Sequence, residues 1–318
     1  MTSAPLTFAL PAPDLGPWRA GNTGTEGVWR FDSGRPGRHV MISALIHGNE
    51  LCGAWAIKGL IEAGVRPQAG TLTLALCNLA AFDRFDATDH DASRFVDEDM
   101  NRQWSDERMD AADTLERRRC AQLRPFVREA DWLLDLHSMH EPGEPLLLTG
   151  VLPRNIALAQ RLKAPRHVIV DAGHKDGVRM RDFAQFGDPA GQACALLIEC
   201  GFHGDPASRD VARDMVARML LESGVADAAD LPAGWLREDP AGQRVLEVTD
   251  AVVAPSMDLR FSEDWTGLET LERAGTVLGW ADGQPIVTPY DRCTLVMPSL
   301  RQLKPGVTVV RLARDYAG

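Results

Sequence analysis

The chain has 318 residues, of which 45% are hydrophobic and 25% charged, the composition of an ordinary globular protein that is long enough for two domains. Its 45 acidic residues outnumber 34 basic ones, and the formal net charge of −11 argues against nucleic-acid or anionic-membrane partners, because both favour a basic surface. No apolar run reaches the roughly 18 residues that span a bilayer, and residues 1–15 lack the charged and apolar regions of a signal peptide, so we expect a soluble, cytoplasmic protein.

The first predicted elements form a βαβ unit. A turn-rich segment at 21–31 leads into a strand, and the nearly continuous apolar run at 39–47 is typical of a strand buried on both faces. Residues 50–63 are rich in helix formers and stop before Gly64, a suitable C-terminal cap, and residues 71–77 predict a second buried strand. This order indicates a largely parallel sheet covered by helices.

The same alternation of strands and helices continues to about residue 224. The further predicted elements are a helix at 115–130 that Pro125 should kink, strands at 130–136 and 193–198, and a helix that begins at Asp205–Pro206 and ends at Gly224.

The composition changes after about residue 226. Residues 226–243 are rich in Ala, Asp, Pro and Gly and resemble a linker, and short β-rich runs follow, separated by Gly and Pro. We therefore predict an α/β catalytic domain at residues 1–230 and a small all-β domain at residues 231–318.

The six cysteines are scattered and form no C-x-x-C pair, which disfavours a zinc ribbon or a dithiol redox centre. We expect reduced, buried thiols, as is usual in the cytosol.

Two histidines and a glutamate follow or close two predicted buried strands. His47 and Glu50 lie in the HGNE segment after the first strand, and His137 ends the ADWLLDLH strand. Ligand sites collect at the carboxyl ends of such strands, and two His with one Glu form a known catalytic zinc set. Taken alone, H-x-x-E is a weak signal, and a solvated His at a helix start is the alternative. Asp135 could orient a ligand or make a structural hydrogen bond.

Glu199 closes the apolar strand ACALLI, where a carboxylate is costly unless it is paired or functional. It could act as general base beside a metal-activated water, or it could pair with an arginine. The loop at residues 94–102 places Asn101 and Arg102 side by side, and these donors suit a carboxylate, although a solvated charged loop is the alternative.

HGNE, the later DLH and the intervening D-x-N-R together resemble the succinylglutamate desuccinylase/aspartoacylase family, a branch of the zinc-carboxypeptidase-like hydrolases. The motifs occur in the family's order over roughly residues 21–205. The resemblance implies a zinc-carboxypeptidase-like fold, with a mixed, largely parallel sheet flanked by helices.

The resemblance also implies roles for individual residues. His47, Glu50 and His137 match the ligands of one zinc ion per chain, Glu199 matches the general base, and Arg94 matches the arginine that polarises the scissile carbonyl. Asn101 and Arg102 match the pair that holds the substrate carboxylate. A further specificity arginine could be Arg179 or Arg181, unless both are surface charges, and Tyr290 could reach the site or pack in a hairpin.

These observations predict a zinc-dependent amidohydrolase that cleaves a small N-acyl amino acid or a related compound. Two alternatives remain open, a metallocarboxypeptidase acting on peptides and a non-catalytic metal- or ligand-binding relative. Neither the acyl group nor the amino acid is defined, and the oligomeric state is open, a homo-oligomer included. An anionic substrate would need local arginines such as Arg94 and Arg102 to bind against the net charge of the chain.

Overall fold

A mixed β-sheet organises the chain. The computed structural model describes residues 7–173 and 176–318, so residues 1–6, part of the segment searched for a signal peptide, lie outside it. The strands are β1 (Val28–Asp32), β2 (His39–Ala44), β3 (Thr71–Leu76), β4 (Trp132–Met139), β5 (Leu146–Leu148), β6 (His167–Val170), β7 (Cys194–Phe202), β8 (Arg244–Val253), β9 (Leu259–Phe261), β10 (Thr270–Leu271), β11 (Val277–Ala281), β12 (Gln284–Val287), β13 (Cys293–Val296) and β14 (Thr308–Asp315). The α-helices are α1 (Leu51–Glu62), α2 (Leu79–Phe82), α3 (Asp106–Ala111), α4 (Leu115–Glu129), α5 (Pro153–Leu162) and α6 (Pro206–Ser223).

The main sheet has eleven strands in the order β1-β3-β2-β4-β7-β5-β6-β8-β14-β13-β10. Its centre, β3-β2-β4-β7, is parallel, whereas β1 and β5 pair antiparallel with β3 and β7. All residues of the four central strands are buried, as expected for strands covered on both faces. The predicted α/β class with a largely parallel sheet is confirmed.

Helices cover both faces of this sheet, and the side chains of successive strand residues pack into different layers. Val40 and Ile42 of β2 belong to the apolar cluster that also contains residues of α1, α5 and α6. Met41, between them, packs into a second cluster with Leu123 and Val127 of α4. This two-sided burial fixes the register of β2, because a shift by one residue would exchange its two faces.

A glycine lets α1 lie close to the sheet. A Cβ at Gly53 would stand 2.7 Å from the Cβ atoms of Ala44 and Leu136. Gly64 has a positive φ of 69° directly after the α1 C-cap, as expected of a terminating glycine. Helix α6 also begins and ends where predicted, with the Asp205 side chain accepting a hydrogen bond from the Ala207 N–H and Gly224 at a φ of 74°.

Two features of the α/β part differ from the sequence prediction. Strands β4 and β7 continue beyond His137 and Glu199 to Met139 and Phe202, because the backbones stay paired after the apolar side chains end. Residues 146–170 form β5, α5 and β6, which were not predicted, since strands of three or four residues leave little periodicity. Helix α4 covers Leu115–Glu129, as predicted, with Pro125 inside it.

The C-terminal strands extend the same sheet. Strand β8 pairs parallel with β6 and antiparallel with β14, and a separate three-stranded sheet has the order β12-β11-β9. The predicted short β-rich runs all overlap strands, and β9 and β10 were not predicted. This antiparallel, strand-rich region agrees with the fold class, whereas the domain boundary at residue 230 stays a prediction.

Residues 226–243 are attached to the α/β part of the chain. Trp235 is only 6% exposed and packs against Gly59 of α1. Arg218 of α6 bonds to the Asp239 carboxylate and to the Arg237 carbonyl. The composition resembles a linker because Pro and Gly prevent regular structure, but the segment is held by these contacts.

Among the described residues, none of the helices is both long and apolar enough to cross a membrane. All six cysteines are buried and unpaired, as predicted.

Candidate active site

Two histidines converge on one buried glutamate at the carboxyl side of the central strands. His47 follows β2 by three residues, Glu50 immediately precedes α1, and His137 lies on β4. The Nδ1 atoms of His47 and His137 stand 2.8 Å and 2.7 Å from Oε1 and Oε2 of Glu50. All three residues are at most 3% exposed, so this is an enclosed set of three ligand-type side chains.

The three side chains suit a divalent cation. One ligand atom from each lies within 4.8 Å of the others, and no other group of His, Cys, Asp or Glu in residues 7–173 and 176–318 meets this criterion. Oε2 of Glu50 makes no hydrogen bond even though the Nδ1 of His137 lies 2.7 Å away, so the two atoms are not aligned as donor and acceptor. Two histidine nitrogens and a carboxylate oxygen held this close together suit zinc.

Carboxylates hold the outer nitrogens of both histidines. The Nε2 of His137 is 2.8 Å from Oδ2 of Asp135, whose Oδ1 accepts from the hydroxyl of Ser43, and the Nε2 of His47 is 3.0 Å from Oδ1 of Asp99. Such partners fix the ring orientation and tautomer of metal-binding histidines. Asp135 therefore orients His137, and Asp99, the first residue of D-x-N-R, was given no role in the sequence analysis.

The charges around Glu50 keep it ionised. Burial opposes this by raising the pKa of its carboxyl, but His137 and His47 hold that pKa well below its usual range. A carboxylate rather than a carboxylic acid therefore faces the two rings, as a metal ligand must.

Glu199 lies beside this set on the neighbouring strand. Strands β4 and β7 align it directly with His137, so the two side chains lie on the same face of the sheet. Glu199 is 8% exposed and its Oε2 has no hydrogen-bond partner. Burial raises the pKa of Glu199 to about 8, although His137 acts to lower it. Within residues 7–173 and 176–318, no arginine forms an ion pair with Glu199, in contrast to the structural alternative.

Arg94 reaches the same centre from the loop that follows α2. Its guanidinium stands 3.2 Å from Oδ2 of Asp99 and 3.9 Å from Oε1 of Glu50. Burial works to lower the pKa of Arg94, but Asp99 and Glu50 raise it above its usual value, so the group stays cationic. A fixed cation beside the ligand carboxylate is suited to stabilise negative charge that develops there.

Glu116 of α4 holds this loop in place. Its fully buried carboxylate accepts hydrogen bonds from the backbone N–H groups of Val96, Asp97 and Glu98 and from the Asn78 side chain. The sequence analysis missed it because a glutamate in the first turn of a helix is ordinarily solvent-exposed. Its role is to fix the path of the chain between Arg94 and Asn101.

Asn101 and Arg102 lie on the next turn of the same loop. The backbone N–H of Asn101 donates to Asp99, and its side-chain Oδ1 accepts from the N–H of Met180. A guanidinium nitrogen of Arg102 lies 4.0 Å from Oδ2 of Asp99, and the side chain is 19% exposed. Asp99 thus joins His47, Arg94 and Arg102 into one cluster.

The sequence profile of the succinylglutamate desuccinylase/aspartoacylase catalytic domain matches residues 36–201, just over half of the chain. The chain belongs to this family. The matched range includes the site residues His47, Glu50, His137 and Glu199 and the whole Arg94–Arg102 loop. The sequence matches no curated protein at a significant level.

Solved structures of other proteins share the fold of this chain. A succinylglutamate desuccinylase from Vibrio cholerae has a TM-score of 0.65 at 17% identity, over 91% of this chain and 86% of its own. A succinylglutamate desuccinylase/aspartoacylase from Rhodobacter sphaeroides has a TM-score of 0.64 at 18% identity, over 89% and 87%. The ectoine utilization protein EutE (DoeB) from Ruegeria pomeroyi has a TM-score of 0.63 at 16% identity, over 90% and 88%. At these identities the likeness concerns the fold, and the named activities belong to those proteins.

The structure distinguishes Arg179 from Arg181, between which the sequence could not choose. Both are buried, at 3% and 1% exposure, so neither is a surface charge. Arg179 is close enough to Arg102 for its charge to affect the pKa of Arg102. Arg181 donates instead to the Thr149 carbonyl and lines a separate cavity of about 370 Å³. The hydroxyl of Tyr290 bonds to Thr249 of β8, in the apolar cluster of the C-terminal region.

Proposed function

We propose that this protein is a zinc-dependent amidohydrolase that hydrolyses the amide bond of a small N-acyl amino acid or a close relative. The observation that carries the proposal is the placement of Glu199, a second buried carboxylate aligned with His137 beside the His47–Glu50–His137 set. A protein that only binds a metal needs no such base, whereas a metal-assisted hydrolase does.

His47, Glu50 and His137 would hold the cation through two nitrogens and one carboxylate. When bound, a zinc ion in such a set lowers the pKa of a coordinated water toward roughly 7 and polarises a carbonyl group. Three protein ligands leave a fourth position open, which separates a catalytic zinc site from a structural one.

Glu199 moves the proton. It accepts a proton from the attacking water and delivers it to the nitrogen of the departing amine, so that the C–N bond breaks to give a carboxylate and an amine. Burial raises the pKa of Glu199 to about 8 without a metal, and the positive charge of a bound cation would lower it, so that the group can accept the proton first and release it to the amine afterwards. The alignment with His137 keeps it next to the position from which the deprotonated water attacks the carbonyl carbon.

Three side chains of one loop bind the substrate. Arg94 donates to the carbonyl oxygen as it becomes negative, at a site where burial strengthens the electrostatic attraction. Arg102 and Asn101 bind the α-carboxylate, with the guanidinium able to form two parallel hydrogen bonds. These arginines supply the local positive charge that a −11 chain requires to bind an anion.

A hydrolysis screen tests the proposal. Purified protein would be offered N-acetyl and N-succinyl amino acids and C-terminally free dipeptides, with amine release measured after chelation and again after one equivalent of Zn²⁺ is added. We expect turnover of N-acyl amino acids that depends on the metal. Turnover of dipeptides alone would favour a carboxypeptidase, and no turnover by protein that binds zinc would favour a binding protein.

Paired variants separate the roles within the site. Asp135→Asn should weaken metal binding, whereas Arg102→Met should raise KM for N-acyl amino acids with little effect on metal affinity. If both variants changed only stability, the assignment of these residues would be wrong.

A further inference from the structure

A cavity of about 370 Å³ lies apart from the candidate active site, and this volume is enough for a small ligand. None of the residues to which we assign the metal, the proton transfer or the substrate lines it. Most of its walls are apolar. The side chains that form these apolar walls belong to Val151, Leu152, Ala172, Val178, Phe186 and Pro189.

Arg181 brings a buried cation to this cavity. Its side chain is 1% exposed, and its Nη2 donates to the Thr149 carbonyl at 2.6 Å. Within the part of the chain that the structure describes, its Nε and Nη1 form no hydrogen bond, although Nη1 stands 3.3 Å from Oδ1 of Asp182. Because buried donors are normally satisfied, this guanidinium has donors available for a further acceptor.

Asp182 does not balance this charge alone, because it is shared with a second arginine. Its Oδ2 accepts a hydrogen bond from the Nε of Arg179 at 2.6 Å, so one carboxylate lies between two guanidinium groups. Burial lowers the pKa of Arg181 to about 10, and Arg179 acts in the same direction against Asp182, so Arg181 is still cationic at pH 7. A buried cation with incomplete pairing is unfavourable, and an anion in the cavity would offset that cost.

Helix α5 begins at the same cavity. Its N-cap residue, Leu152, lines the cavity and has an apolar side chain that cannot cap the helix. The first turn of a helix has backbone N–H groups without partners inside the helix, and its dipole favours negative charge. Gly150 lets the guanidinium approach this turn, since a Cβ there would stand 2.4 Å from Nη2 of Arg181. The arginine and the helix start therefore favour a ligand of the same charge.

The turn that forms another wall is held in place by the protein itself. The side chain of Arg154, in the first turn of α5, donates to the carbonyls of Asp188 at 2.7 Å and Ala193 at 2.6 Å. These bonds fix the turn that contributes Phe186 and Pro189 to the cavity. A wall that is already ordered loses little conformational entropy when a ligand binds.

We propose that this cavity is a binding site for a small carboxylate with a short apolar chain, in which Arg181 and the start of α5 hold the carboxylate and the apolar walls enclose the chain. One incompletely bonded guanidinium beside one helix end provides for a single anionic group, and the apolar walls disfavour a ligand that is charged at both ends. The inference goes beyond the proposed function, because it concerns a separate site and needs no hydrolysis.

Equilibrium dialysis of the full-length protein with radiolabelled hexanoate tests the site. We expect Arg181→Met to weaken hexanoate binding at this site about 10- to 100-fold, the loss expected of a charged hydrogen bond. Arg102→Met is the matched control and should change it less than about threefold, so that hexanoate bound at the candidate active site is told apart. In competition, 1-hexanol and inorganic phosphate should each displace the hexanoate at least about tenfold more weakly, since one lacks the charge and the other lacks the apolar chain.

The contacts of Arg181 indicate that Arg181→Met will fold. The Thr149 carbonyl keeps a hydrogen bond from the Asn155 side chain at 3.0 Å, and Asp182 keeps its bond to Arg179. The substitution therefore leaves neither acceptor unpaired.

A second pair of variants leaves Arg181 in place. Val151 lines the cavity and is 57% exposed, so a polar side chain is tolerated there. Val151→Asp should weaken hexanoate binding about three- to tenfold by repelling the carboxylate, whereas the neutral Val151→Asn, of nearly the same shape, should have less than half of that effect.

Unchanged hexanoate affinity in Arg181→Met, or equal losses in Val151→Asp and Val151→Asn, would overturn the inference. Displacement by 1-hexanol or by phosphate at the same concentration as by unlabelled hexanoate would also overturn it, because the ligand class would then be wrong. If Arg181→Met did not fold, the Val151 pair would decide the question. None of these results depends on whether the protein hydrolyses N-acyl amino acids.

Discussion

Lowering the pH from 7 to 5 should destabilise the metal-free protein through His203. This ring is 1% exposed, its Nδ1 lies 2.7 Å from the hydroxyl of Ser138, and its Nε2 has no hydrogen-bond partner. Burial lowers the pKa of His203 to about 3, and Arg94 and the rings of His140 and His90 add to the effect, which Glu50 opposes.

The sign and size follow from the difference between the folded and unfolded states. Since the folded pKa is depressed below the ordinary 6.5, the folded state binds fewer protons, and the stability is complete above pH 6.5. It is lost as the pH falls from 6.5 toward 3. Between pH 6.5 and 5 the loss is about 2 kcal/mol, at about 1.4 kcal/mol per pH unit. His140, whose pKa burial lowers to about 4, adds to the loss in the same direction.

Urea unfolding at pH 7 and pH 5 measures this loss. His203→Asn keeps a polar side chain but no longer titrates, so its free energy of unfolding should fall by about 2 kcal/mol less than that of the wild type. Ser138→Ala is the matched control, because it removes the hydrogen bond without removing a titrating group and should lower stability equally at both pH values. The protein is kept metal-free because metal binding has a pH dependence of its own.

Parallel losses for wild type and His203→Asn between pH 7 and pH 5 would refute this reasoning. They would mean that the ring is protonated in the folded state at no cost, and NMR titration of His203 with a midpoint near 6.5 would agree with that result.

Three further changes have defined outcomes. Gly48→Ala should destabilise the protein by about 1–3 kcal/mol or more in thermal unfolding, because its Cβ would stand 2.4 Å from backbone atoms of Ala81 and Ser93; an unchanged melting temperature would contradict the packing described for the turn between His47 and Glu50. Asp135→Asn should lower zinc affinity about 10- to 100-fold in a competition with a chromophoric chelator, because the amide cannot accept the charge-assisted hydrogen bond that the Asp135 carboxylate accepts from His137. Unaltered affinity would exclude His137 as a ligand. Trp235→Ala should cost about 3 kcal/mol in urea unfolding because the ring is buried against α1, whereas a loss below about 0.5 kcal/mol, usual for a surface change, would show that residues 226–243 are a free linker.

The sequence predicts the parallel centre of the fold because its strands are buried on both faces. Residues 39–47 and 71–77 are continuous apolar runs, and a strand of that kind requires helices on both sides. The same reasoning misses β5, whose three residues carry no period, and it stops β7 at Glu199 because pairing continues where apolar character ends. The side chains of one strand do not show how far its backbone pairs with a strand distant in the sequence.

The site was predictable where ligand residues stand next to strongly patterned elements. His47, Glu50 and His137 come together as expected. Asp99 and Glu116 were given no role from the sequence, since each acts on atoms far away in the chain and looks like a solvated acid in a charged segment.

Amine release by zinc-supplemented wild type and Glu199→Gln tests the central claim most directly. The account predicts that both proteins bind one zinc ion per chain and that the wild type hydrolyses at least one N-acyl amino acid. The variant should be slower by about 100-fold or more, the usual contribution of a general base. Equal rates in the two proteins, with zinc bound in both, would show that Glu199 is not the base and that the mechanism derived from its position is wrong.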